Sequence, residues 1–277
     1  MILAITGPTS GIGSETLKAL IPDCEKALIL ARNPKKAKTL IETLSSDLQP
    51  KAIFIPIDLA DMDSVTKAVG LIQKEVANID VLINNAGGIF QNKEVTVDDF
   101  ELTYAVNHLG HFLLTNLLMP LLQKSKSPKV INVSSEAHRA ARPDFNDLQY
   151  KKKDYSSFNA YANVKLFNIL FTKSLVDRYG DQGLGTYALH PGVVKSNFGM
   201  DTSGVFKLLW KLATPFMITP KQGAKTSIFL AKTKINKSLN GYYFKKSKPK
   251  KPSSQASSKK LRDRLWEVSE KSLAKWM

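Results

Sequence analysis

Seven short apolar runs recur along the chain: "MILAI" at 1–5, "KALILA" at 26–31, "AIFIPID" at 52–58, "IDVLINNAG" at 79–87, "KVINVSS" at 129–135, "LGTYALHPG" at 184–192 and "NGYYF" at 240–244. Their apolar residues are near-continuous rather than alternating, which predicts strands of a sheet covered on both faces. Between them the period changes. Ala37, Leu40, Ile41 and Leu44 share one helical face, as do Val65, Val69, Ile72 and Val76, with Asp61 and Asp63 placed as caps. Helices are also predicted over 15–21, about 97–122 and about 157–179, and a last one carries Leu261, Leu265 and Val268. Strands alternating with such helices predict parallel βαβ units, hence an α/β, doubly wound, Rossmann-type sheet of about seven strands in a single domain over 1–244. The remainder reads as a lysine-rich loop at 245–260 and a helix at 261–277.

Composition adds limits. The 277 residues are 43% hydrophobic, enough for a full core. The single cysteine, Cys24, excludes an internal disulfide and suggests a reducing, cytoplasmic setting. No apolar run approaches the roughly 18 residues of a transmembrane helix. The first strand begins at residue 1, so no signal peptide is expected. The net charge is +16, with seven lysines and no acid between 245 and 260. That stretch has almost no apolar surface and is expected to be a solvated, mobile loop remote from the ligand site. Two outcomes are open for it: no partner at all, or peripheral attachment to an anionic membrane surface. No nucleic-acid motif accompanies the charge, so a specific nucleic-acid partner is not expected.

In a doubly wound sheet, ligands bind at the carboxyl ends of the strands. "TGPTSGIG" (6–13) follows the first strand and opens a helix. Gly7, Gly11 and Gly13 allow a tight turn and close backbone approach, and the helix N-terminus suits a pyrophosphate. Arg32 ends strand two, where an acid would bind a ribose 2′-hydroxyl; a guanidinium there suits a 2′-phosphate, hence NADP(H). Asp58 and Leu59, Asn84 to Gly87, Ser134 and Ser135, and Pro191, Gly192 and Ser196 end the next four strands. Tyr161 and Lys165 lie four apart on one helical face. A lysine ammonium there is expected to lower the tyrosine pKa, and with the Ser135 hydroxyl the pair forms a proton-transfer site for alcohol and carbonyl. The four histidines, His108, His111, His138 and His190, lack metal-ligand spacing, so no metal is expected.

TGPTSGIG, Asp58-Leu59, NNAG, Asn107, Ser135, YANVK and PGVVKS occur in the order typical of the short-chain dehydrogenase/reductase family, which the chain resembles over nearly its whole length. "VNHLGHFLLTNLL", "VINVSSEAH", "KLFNILFTKSL" and "HPGVVKS", with 26 residues from Ser135 to Tyr161, are most similar to the retinol dehydrogenase and WW-domain oxidoreductase branch. The resemblance implies a catalytic tetrad of Asn107, Ser135, Tyr161 and Lys165, with Asn107 holding a water of a proton relay. It implies cofactor contacts from Gly7, Ser10, Gly11, Ile12, Gly13, Arg32, Asp58, Leu59, Asn85, Ala86, Gly87, Tyr161, Lys165, Pro191, Val194 and Ser196. Of these, Lys165 would bind the nicotinamide ribose and Ser196 the carboxamide. The N-terminal anchor usual among retinol dehydrogenases is not expected here. The crowded apolar residues of 197–219, among them Phe198, Phe206 and Trp210, are expected to form a lid over a lipophilic alcohol, aldehyde or ketone. The alternative is a catalytically idle NADP-binding sensor or scaffold, which would need the dinucleotide site but not Tyr161 and Lys165.

Overall fold

The structure is a computed structural model, and it describes residues 1–194 and 217–277. Six parallel strands form as the apolar runs predict: β1 (Ile2–Thr6), β2 (Lys26–Ala31), β3 (Ala52–Pro56), β4 (Val81–Asn84), β5 (Lys129–Val133) and β6 (Gly185–His190). A seventh parallel strand, β7 (Tyr243–Lys245), pairs with β6. An eighth strand, β8 (Lys248–Lys250), is antiparallel to β7 and was not among the predicted elements. The order is β3-β2-β1-β4-β5-β6-β7-β8. The chain therefore reverses its winding between β1 and β4, which opens a crevice at their carboxyl ends.

Strand residues alternate between two cores. Ile2, Ala4, Leu28, Leu30 and Leu82 face a layer built from α3 (Met62–Glu75), α5 (Gly110–Leu117), α7 (Ser157–Tyr179) and α9 (Lys259–Leu273). Leu3, Ile5, Ala27, Ile29 and Ile83 face α1 (Gly11–Leu20), α2 (Pro34–Glu42) and α8 (Pro220–Lys232). Covering both faces is what near-continuous apolar strands require.

Three predicted boundaries differ. The helix expected from about 97 starts at Leu102, because Asp99 adopts a left-handed backbone (φ 61°) and the buried Glu101 carboxylate accepts from the Thr103 and Tyr104 amides. It is also interrupted. A short α4 (Leu102–Tyr104) passes into a π turn (Ala105–Leu109) before α5, and Pro120 opens a separate α6 (Met119–Gln123). Within 245–260, Lys246 and Ser247 (φ 52° and 58°) make a two-residue hairpin turn of the kind that joins twisted antiparallel strands. The Ser247 amide donates to Thr226 Oγ1 at 3.1 Å. Lysines and a proline suit an edge strand, since they block further pairing. The last helix begins at Lys259, capped by Ser258.

Candidate active site

The glycine turn closes against the loop after β4. Gly7 and Gly11 have left-handed backbones (φ 63° and 54°). A Cβ on Gly13 would lie 2.5 Å from the Gly7 carbonyl and 2.6 Å from Asn85 Nδ2, so this close approach requires glycine. Thr6 is the hub. Its Oγ1 accepts from the Asn85 and Ala86 amides, both at 2.9 Å, while Asn85 Nδ2 donates to the Thr6 carbonyl at 2.9 Å. Ser10 precedes α1 without a side-chain cap bond. By contrast Asn33, Asp61, Ser156, Thr219 and Ser258 cap α2, α3, α7, α8 and α9. Among the described residues the first N–H groups of α1 have no side-chain acceptor, which fits a phosphate group from outside. Ile12 packs close to Gly223 of α8, where Val194 also packs.

The second strand end brings Arg32 Nη1 within 3.9 Å of Asp58 Oδ2, and both side chains are exposed. Asp58 Oδ1 accepts from the Ala60 amide, and the Asp58 amide donates to Ser64 Oγ at 2.9 Å. Leu59 is buried; a Cβ on Gly110 would lie 2.6 Å from its carbonyl, so α5 abuts this corner.

Asn107 and Lys165 meet beside Gly87, and Tyr161 links Lys165 to Ser135. The side chain of Asn107 is buried in the π turn. Its Nδ2 donates to the Gly88 and Thr103 carbonyls at 3.1 and 3.0 Å, and its Oδ1 accepts from the Gly88 amide at 3.2 Å. A Cβ on Gly87 (φ 153°) would meet Asn107 Oδ1 at 2.4 Å and Lys165 Nζ at 3.5 Å, so these two groups flank it. Lys165 is buried, donates to the Val133 carbonyl at 3.2 Å, and holds Nζ 5.3 Å from the Tyr161 ring centroid. Tyr161 is hydrogen-bonded to Ser135, whose Oγ also accepts from the Ala137 amide at 3.2 Å. Ser134 points elsewhere, donating to the Lys165 carbonyl at 2.6 Å. Pro191, Gly192 and Val194 close the edge after β6, with Val194 bridged to Ile218. Ser196, and 197–216 of the expected lid, lie outside the described residues.

The electrostatics correct one expectation. Burial pushes the Tyr161 hydroxyl up to about 12 against the lowering effect of the Ser135 hydrogen bond. The lowering influence is the Ser135 hydrogen bond rather than Lys165, and burial also pushes the Lys165 ammonium down to about 8. Tyr161 therefore holds its proton at neutral pH.

Several supporting contacts were not legible in the sequence. A buried amide and hydroxyl ladder crosses the sheet: Asn84 Nδ2 donates to Asn132 Oδ1 at 2.8 Å and Asn132 Nδ2 to Thr172 Oγ1 at 2.9 Å. His111 spans Thr6 Oγ1 (2.9 Å from Nε2) and the Asn107 carbonyl (3.4 Å from Nδ1), and burial lowers its pKa to about 3. The only sequence signal was polar residues inside apolar runs. The lysine-rich segment was expected to be remote from the ligand site, yet Lys245 pairs in register with His190 and lies 3.3 Å from Glu136, the neighbour of Ser135.

Comparison with known proteins agrees with the fold. The family described as short chain dehydrogenase matches residues 1–204. Retinol dehydrogenase 12 of Homo sapiens is 38% identical over 269 residues, covering 97% of this chain and 84% of the relative. Retinol dehydrogenase 13 of Mus musculus is 34% identical, covering 95% and 80%. Among solved structures, an uncharacterized protein from Mycobacterium paratuberculosis superposes with a TM-score of 0.80 at 29% identity, covering 99% of this chain and 93% of that one. An NADPH-bound carbonyl reductase from chicken fatty liver shares the fold, with a TM-score of 0.69 at 22% identity over 90% of this chain and 98% of that one.

Proposed function

The chain belongs to the short-chain dehydrogenase family of oxidoreductases, and on that premise we propose that it interconverts a lipophilic alcohol and its aldehyde or ketone with NADP(H). The observation that carries this reading is the buried Tyr161, its hydroxyl bonded to Ser135 and its ring 5.3 Å from the Lys165 ammonium, which in turn flanks Gly87. The glycine-bounded cradle and the uncapped start of α1 fit a dinucleotide, held by Gly7 to Gly13, Asn85 to Gly87 and Lys165. When bound, the nicotinamide supplies or accepts a hydride at the carbinol carbon.

The side chains then handle the oxygen. Ser135 and Tyr161 donate hydrogen bonds to the carbonyl oxygen and polarise it. A tyrosine that keeps its proton up to about 12 is suited to give it to the forming alkoxide. Lys165, charged below about 8, stabilises the phenolate left behind, and Asn107 orders the water that returns a proton. A complete set of these four groups is more than a cofactor sensor needs. The retinol dehydrogenase relatives support a lipophilic substrate.

Arg32 sets the choice of cofactor in this reading. A charge-assisted pair with a 2′-phosphate contributes roughly 1.5–3 kcal/mol, or about ten- to a hundred-fold in affinity. NADPH should therefore bind that much more tightly than NADH, and Arg32→Ala should shrink the gap while leaving NADH binding nearly unchanged. Titration of both cofactors by fluorescence tests this, and equal dissociation constants in the unmodified protein contradict it. Turnover of NADPH with all-trans-retinal, nonanal and a steroid ketone tests the substrate class.

A further inference from the structure

His138 sits three residues after Ser135, in the turn Glu136–Ala140, and is 1% exposed. Its Nδ1 lies 2.6 Å from the Ser135 carbonyl oxygen, and its Nε2 lies 3.0 Å from the Ser253 amide nitrogen. A carbonyl can only accept and a backbone N–H can only donate, so both ends of the ring are determined. Nδ1 bears the hydrogen and Nε2 is bare. Burial lowers the His138 pKa and favours this neutral form.

The Ser135 carbonyl is held twice, because the His138 backbone amide also donates to it, at 3.1 Å. Fixing that carbonyl fixes the peptide plane after Ser135 and, with the Ala137 contact to Oγ, the direction of the hydroxyl. The ring is itself held in place. Tyr243 packs on it edge-to-face with centroids 5.1 Å apart, and the Tyr243 hydroxyl donates to Glu136 at 2.8 Å. Arg139 and Lys245 also face Glu136, each at 3.3 Å, and Arg139 Nη2 donates to the Lys251 carbonyl at 2.8 Å. Two hydrogen bonds thus join residues 251–253, beyond the lysine hairpin, to the turn that carries Ser135. His138 itself does not touch the tetrad hydroxyls.

We propose that His138 is a positioning residue for Ser135, passing the placement of the segment around Ser253 through its ring to the serine's peptide. The inference rests on the reading of Ser135 as the group that polarises the carbonyl. The alternative is a histidine that only fills space, and that role would not depend on which ring nitrogen donates.

The test has two parts. On the unmodified chain, nitrogen-15 NMR of labelled histidine, with resonances assigned through bonds, should show His138 as the Nδ1–H tautomer at pH 7.5. An Nε2–H tautomer overturns the proposal even if every variant fails to fold. The second part compares variants. His138→Asn presents an amide N–H near the place of Nδ1 and keeps the Ser135 contact, whereas His138→Gln reaches only toward Ser253. Because misplacing a reacting group by about 1 Å can cost up to about a hundred-fold, Gln and Ala should lower kcat for nonanal reduction by about ten-fold, with Asn within about three-fold. KM for NADPH should stay unchanged in all three. A Gln variant as fast as the parent, or as fast as Asn, overturns the proposal. Ser135→Ala is the control: if it leaves kcat intact, the reading of Ser135 itself fails, independently of the NMR result.

Discussion

Lys165 is subject to two opposing demands. The chemistry proposed for it needs an ammonium beside Tyr161, yet burial pushes its pKa from 10.5 down to about 8. Between about pH 8 and 10.5 the unfolded chain binds the proton and the folded chain does not, so stability should rise with pH across that window. Below about 8 the folded protein bears the full cost of the buried charge, up to about 3 kcal/mol by the size of the shift. Lys165→Met should therefore raise the midpoint of thermal unfolding at pH 7 and flatten its rise between pH 8 and 10.5, while abolishing turnover. Thermal melts of the ligand-free proteins across this range check it; a variant less stable at pH 7, or equally pH-dependent, contradicts the assignment. Tyr161, Lys165 and Ser135 could be singled out because the first two have a helical spacing and Ser135 ends a strand, whereas Asn107 was named only through the family resemblance. The direction of the Tyr161 shift was not, since it depends on how much apolar structure surrounds the hydroxyl, and no local spacing records that.

At the level of elements, the cradle depends on α1 starting hard against the turn that feeds it. Gly13→Ala would press a methyl into the Gly7 carbonyl and Pro8 Cα, which are backbone and cannot swing aside. We expect a loss of about 1–3 kcal/mol in stability, the usual cost of overpacking. NADPH affinity should fall by at least about ten-fold, because the helix N-terminus moves away from the phosphates. Calorimetry on the folded variant checks both, and unchanged affinity would remove Gly13 from the cofactor site. The strands and the Tyr161 helix were readable from periodicity, since apolar runs and helical faces are local patterns. The π turn at Asn107 was not. Its neighbours Val106, Leu109, Phe112 and Leu113 keep an ordinary helical rhythm, and the interruption is visible only through the bonds of Asn107 to Gly88 and Thr103. The β8 strand was missed for another reason. Lys-Ser is a poor hairpin signal beside Asn-Gly, and its left-handed turn is held in part by Thr226 of α8, 21 residues away.

Across the whole molecule, the two cores leave the carboxyl edge of the sheet for chemistry, and the hairpin adds a cationic rim at one end of that edge. Lys246, Lys248, Lys250, Lys251, Lys259 and Lys260 are exposed, whereas Lys245 faces Glu136. Among the described residues no helix is long and apolar enough to cross a membrane. Attraction to an anionic bilayer, at about 1 kcal/mol per lysine near the surface, should make the chain sediment with phosphatidylserine vesicles and not with phosphatidylcholine vesicles. Salt should weaken the binding, and replacing those six lysines with glutamine should remove most of it; equal pelleting of the two proteins would exclude the rim as the tether. The central claim, carbonyl reduction with Tyr161 as proton donor, is tested most directly by isotope transfer. The purified chain is given NADPH deuterated at both C4 positions, with nonanal or all-trans-retinal, and the alcohol is weighed by mass spectrometry. One deuterium should appear at the carbinol carbon, and Tyr161→Phe should form that product at least about a hundred-fold more slowly while still binding NADPH. Alcohol without deuterium, or a Phe variant retaining more than about a tenth of the parent rate, would contradict the account.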